Sequence, residues 1–177
     1  MKALEKLKSR GGFSLGELLV ATLILLMVSS VVAGGIPVAR DAYNKVTIGA
    51  NSQVLLSTTI SALQNELGTA TEIEPPKNNT ITYINGRTGL KTELYTSGKE
   101  GIKIKEYYRS GYVASDRTLV PEAAATEDLY AAFGNNSTFV NGVLTIKDLK
   151  VKKSSDTESD PSRAELSELK IRVIRTS

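Results

Sequence analysis

The sequence contains no cysteine, no histidine and no tryptophan. Without cysteine no disulfide can staple the fold, so a domain exported from the cell has to rely on its hydrophobic core. Losing histidine and cysteine together excludes Ser-His-Asp and Cys-His nucleophilic chemistry and the usual zinc sites. A surface hydrolase built from carboxylates alone is the enzyme class left open, and no pair of acids stands at convincing positions for it. The chain therefore reads as a non-enzyme that needs no cofactor. A real charge excess is missing too. The formal net charge is +3, and the first twelve residues, with Lys2, Lys6, Lys8 and Arg10 against Glu5, carry all of it. What remains is neutral, so the basic balance belongs to the head and does not point to a nucleic-acid partner.

What is present is concentrated in one stretch. The basic head runs into Gly11-Gly12, and an apolar segment follows with no charged residue from Leu18 to Ala39. About twenty apolar helical residues cross the hydrocarbon core of a bilayer, and basic residues ahead of them keep that end on the cytoplasmic side. One carboxylate, Glu17, stands at the start of the segment. An acid there is costly in lipid and is by default a sign of function; the simpler account is an acid in a first helical turn, favoured by the helix dipole.

Gly11-Gly12-Phe13-Ser14-Leu15-Gly16-Glu17-Leu18-Leu19 resembles the processing site of type IV pilins and of the type II secretion pseudopilins. The resemblance covers about Lys8 to Val28. It implies cleavage between Gly12 and Phe13 by a prepilin peptidase, methylation of the new Phe13 amine, and an assembly role for Glu17. A single-pass precursor would wait in the inner or cytoplasmic membrane with its head in the cytoplasm, then join other pilin subunits, major and minor, in a surface pilus or pseudopilus. In a low-dielectric setting the Glu17 carboxylate and a neighbour's Phe13 amine attract strongly, while each alone is penalised. The competing reading is a secreted or signal-anchored binding protein cleaved near Ala33, where Val31-Val32-Ala33 offers small residues.

Along the chain, Gly34-Gly35-Ile36-Pro37 predicts a kink or a locally opened turn in the first helix. Gly49, Gln53, Leu56, Ile60, Leu63, Leu67 and Ala70 then recur at helical spacing, and Pro75-Pro76 closes the helical region. Strands are expected over 80–84, 90–95 and 101–108, with Asn85-Gly86 as a turn. Pro121 to Phe133 predicts a short surface helix ending at Gly134. A hairpin turns at Asn141-Gly142, its second strand running on through Leu149 and Val151, and a last strand covers 169–175. Residues 152–164 are polar and read as a mobile loop. The resulting fold class is α+β, a long N-terminal helix whose second half packs on an antiparallel sheet. Its parts are a leader (1–12), a membrane and assembly half-helix (13–36), an amphipathic half-helix (37–74) and a β domain (75–177). By resemblance, the Leu18-Leu19-Val20-Ala21 run and the two-hairpin domain look more like a minor, tip-type subunit than an abundant one.

Three weaker patterns need weighing. Asp156, Glu158 and Asp160 alternate as candidate calcium ligands, but a mid-loop glycine and a closing glutamate are missing at the required offsets, so a solvated acidic loop is expected. Lys103, Lys105, Tyr107, Tyr108 and Arg109 combine cations with aromatics, the ingredients for single-stranded DNA or another surface ligand. They suit the solvent face of a strand equally well, and neutrality of the remaining chain gives a DNA role no support. The glycosylation-like Asn78-Asn79-Thr80 and Asn135-Asn136-Ser137 read as turns.

Overall fold

The computed structural model of the chain describes residues 14–120, 128–157 and 159–173. It divides into two units, Met1–Lys45 and Val46–Ser177. Helix α1 (Leu15–Leu67) is the one α-helix among the described residues. In the first unit it begins with a capping box. The Ser14 hydroxyl accepts the Gly16 N–H at 3.2 Å, and Glu17 accepts the Ser14 N–H at 3.0 Å. Every described residue up to Lys45 is exposed. The helix runs unbroken through Gly34, Gly35 and Pro37, so the opened turn expected there does not form. Proline forfeits one backbone bond, yet its fixed φ near −65° is already helical, and one lost bond does not break a long helix.

In the second unit α1 buries Ser52, Leu55, Leu56, Thr59, Leu63, Glu66 and Leu67. The expected stripe holds at Leu56, Leu63 and Leu67, but Gln53 is exposed and the face is turned toward Ser52 and Thr59. Those two small residues let the helix approach closely and satisfy their own hydroxyls on the Ile48 and Leu55 carbonyls, at 2.7 Å each. The helix stops at Leu67, well before the prolines, because Gly68 turns the chain and Ala70 then enters the core from a loop.

Two antiparallel sheets complete this unit. The first is a meander, β1 (Thr80–Ile84), β2 (Lys91–Thr96), β3 (Ile102–Tyr107) and β4 (Val113–Thr118) in that order. The first three match expectation, whereas β4 (Val-Ala-Ser-Asp-Arg-Thr) has too few apolar residues to announce itself and is held by its ladder with β3. In the second sheet β7 (Val143–Lys153) is central. It pairs along most of its length with β8 (Ala164–Arg172), near its start with β6 (Thr138–Val140) and near its end with β5 (Leu129–Ala132). Strand β5 replaces the C-terminal part of the expected surface helix; residues 121–127 lie outside the described residues. Its Ala-rich sequence favours a helix locally, but pairing with β7 and burial of Leu129 and Ala131 outweigh that weak preference.

Asn141 and Gly142, at φ 52° and 76°, make the expected tight hairpin turn. Asn78 and Asn79, at φ 46° and 61°, turn the chain between the bridged Lys77 and Thr80. The core is continuous from Leu55, Leu63 and Leu67 of α1 through Ile81, Leu94 and Ile104 to Leu144, Ile146, Leu149 and Ile171.

Candidate functional site

Glu17 occupies the third position of α1, where its carboxylate closes the capping box on the Ser14 amide. An acid at that point also faces the positive end of the helix dipole. The bond uses one carboxylate oxygen, and among the described residues Glu17 has no ion-pair partner. Ahead of it, Gly12 and Phe13 lie outside the described residues. Behind it, the helix from Leu18 to Val28 is apolar on every side, with Leu25, Leu26 and Met27 all about two-thirds exposed (67%, 68% and 65%). Three consecutive residues project in three directions 100° apart, so no face of this segment is covered. One 18-residue window of α1 has a mean hydropathy of 2.4, with none of it buried, and is long and apolar enough to cross a membrane.

The cations of β3 are brought together but not left free. Lys103, Lys105 and Tyr107 share the outer face of the first sheet. Lys103 is ion-paired with Glu100. Lys105 stands between Glu93 of β2 and Asp116 of β4 in the cross-strand register, and its ammonium lies 5.7 Å from the Tyr107 ring centre. The Tyr107 hydroxyl donates to Glu93 at 2.8 Å. Burial, then that carboxylate, pushes the phenol up to about 12. Lys103 is thus paired and Lys105 is flanked in register by two acids, so the face offers no surplus of positive potential for a polyanion. Tyr108 and Arg109 sit beyond the strand in the β3–β4 turn, exposed.

The acidic loop is organised by internal partners. Arg163 donates to both oxygens of Asp156, at 2.6 and 3.0 Å, and Asp156 also accepts the Lys153 N–H at 3.0 Å. Asp160 accepts the Thr157 N–H at 2.7 Å and its hydroxyl at 2.9 Å. Both carboxyls are held below the usual range, Asp156 chiefly by Arg163 and Asp160 chiefly by the Thr157 amide. Glu158 lies outside the described residues, and among those described no three His, Cys, Asp or Glu side chains gather to hold a metal.

One polar cluster has no counterpart in the sequence reading. Glu66, 8% exposed near the end of α1, accepts the Tyr83 hydroxyl and the Asn85 amide at 2.9 Å each, with Arg117 3.4 Å from its other oxygen. Asn85 donates also to Glu106 at 3.2 Å, and Thr88 reaches the same Glu106 oxygen at 3.3 Å. Burial first, then Glu66, drives the Tyr83 phenol far up, so it stays a donor. Two buried acids bridged by one amide form a clamp between helix and sheet. The clue was an acid three residues after Leu63 on the buried stripe, a position that tolerates a carboxylate only with partners. Compared with models of protein families, with curated proteins and with solved structures, the chain matches none of them.

Proposed function

We propose that the chain is a structural subunit of a type IV pilus or related pseudopilus, a minor one in character, made as a precursor and assembled through the first part of α1. The observation that carries this reading is the pairing of Gly11-Gly12-Phe13 with a capped Glu17 and a helix that is apolar all round and uncovered. A helix of that kind needs lipid or other helices around it. The precursor would lie in the cytoplasmic membrane, head inward, until a peptidase removes residues 1–12. The Phe13 amine of one subunit would then meet the Glu17 carboxylate of the next, fixing the register between them. A carboxylate already holding one amide hydrogen bond tolerates lipid while it waits, and its remaining acceptor capacity is what an arriving ammonium would use.

Expression with a prepilin peptidase and an assembly ATPase tests this. The exported chain is expected to begin at N-methylated Phe13, and Glu17→Ala is expected to be processed yet remain in the membrane fraction. A mature form starting just after Ala33 would replace this reading with the secreted one. Fibres containing Glu17→Ala at the normal level would remove the assembly role of the carboxylate.

A further inference from the structure

Beside the outer face of the first sheet lies an open cleft of about 510 Å3, within the range of small-ligand sites. Its walls include Glu72, Lys91, Glu93, Tyr107, Tyr108 and Arg109. Two glycines at its rim, Gly89 and Gly111, have φ of 66° and 84° and would have nothing within 4 Å of an added Cβ, so the turns there leave the mouth open. We propose that this cleft binds a pyranose saccharide, its ring stacked on Tyr108 and its hydroxyls held by Glu72 and Arg109.

The charges select the ligand class. Two carboxylates and two cations cancel within the cleft. Lys91 is occupied by Glu74 at 3.3 Å, and Glu93 by the Tyr107 hydroxyl. Glu72 and Arg109 have no ion pair among the described residues and remain as acceptor and donor. A phosphate polymer would find no surplus of positive charge there. A hydroxyl-rich, uncharged ring can use both a carboxylate acceptor and a five-donor guanidinium, and Glu72 and Arg109 line the cleft. Tyr108 lines the cleft and is 55% exposed, and an exposed aromatic ring is a surface that the C–H bonds of a sugar can pack on. A neutral sugar and a sugar acid share this chemistry; Arg109 would hold the carboxylate of the second in a bidentate pair. The cleft lies wholly within the second unit, and the proposal holds whether or not the chain assembles into a fibre.

Saturation-transfer NMR on the full chain in a zwitterionic, sugar-free detergent tests it, with methyl β-glucoside, methyl β-galactoside and galacturonic acid as probes. Transfer to the ring protons of at least one probe is expected, with at least tenfold weaker binding for Tyr108→Ala. Arg109→Gln is expected to weaken galacturonic acid more than the neutral glycosides if the sugar acid is the preferred form. Tyr112→Ala, which removes a still more exposed ring outside the cleft, is expected to change nothing. Absence of transfer to every probe overturns the proposal. So does a Tyr108→Ala loss no larger than that of Tyr112→Ala, or displacement of the sugar by a thymidine decanucleotide.

Discussion

Two glutamates on one helix show how differently a carboxylate can be used. Glu17 is exposed and makes one hydrogen bond, to the Ser14 amide; Glu66 is buried and receives Tyr83, Asn85 and Arg117. Removing Glu66 would leave the buried Tyr83 phenol without its acceptor and the Asn85 amide with Glu106 alone, and an unmet buried donor costs about 1–3 kcal/mol. Glu66→Ala is therefore expected to lower unfolding stability by about 3 kcal/mol, with Glu66→Gln costing less because its amide oxygen can still accept one of those bonds. Urea titration of both variants checks the order; equal losses would mean that the negative charge, and not an acceptor that an amide can replace, is what Glu66 supplies. On the same principle, the single bond of Glu17 makes its replacement cheap for the fold. Any effect of Glu17→Ala on fibres would thus report on assembly and not on stability.

Turns and connections decide how these elements meet. At Gly86 an added Cβ would fall 2.0 Å from the Thr69 carbonyl oxygen, so the β1–β2 connection lies directly on the backbone that follows α1. Gly86→Ala must push two backbones apart and is expected to cost about 2 kcal/mol or more, read as a lower melting temperature. Asn85-Gly86 was legible as a turn signal, but the chain reverses over a longer loop, because Asn85 is drawn inward by Glu66 and Glu106. Strands β1, β2 and β3 were legible because each alternates apolar and polar residues, and β7 because apolar residues recur on both sides of Lys147-Asp148. Strand β4 was not, having its apolar residues out of alternation, and β8 was legible only from Leu169 because Glu165 and Glu168 mask its beginning. Within the loop read as mobile, Asp156 and Asp160 accept local hydrogen bonds from Arg163 and from the Lys153 and Thr157 amides. Their carboxyls titrate lower in the folded chain than in the unfolded one, so their stabilisation is present above the ordinary aspartate value, near pH 4. It is lost as pH falls through the depressed folded values. Hydrogen exchange at the Lys153 and Thr157 amides is expected to keep its protection from neutrality to about pH 4 and lose it below. Asp156→Asn should abolish the acid step at Lys153.

For the whole molecule, the organising fact is where the core ends. Every residue of the hydrophobic cluster lies between Ile48 and Val173, and all described residues before Val46 are exposed. The second unit thus closes its own core, while the described residues of the first are all exposed and present apolar side chains on all sides. The two therefore want different solvents. A chain lacking residues 1–45 begins at Val46, inside α1. It keeps Ser52, Leu55, Leu56, Thr59, Leu63, Glu66 and Leu67, the entire buried face of the helix. It is expected to dissolve without detergent and to unfold in one cooperative transition followed by circular dichroism, as a single domain with one core should. The full chain is expected to stay with membranes after an alkaline carbonate wash, because a span of this length and hydropathy has no favourable exposure to water. Should the shortened chain aggregate or melt without cooperativity, the first part of α1 belongs to the fold. Its exposed apolar surface could then no longer be assigned to lipid or to neighbouring subunits.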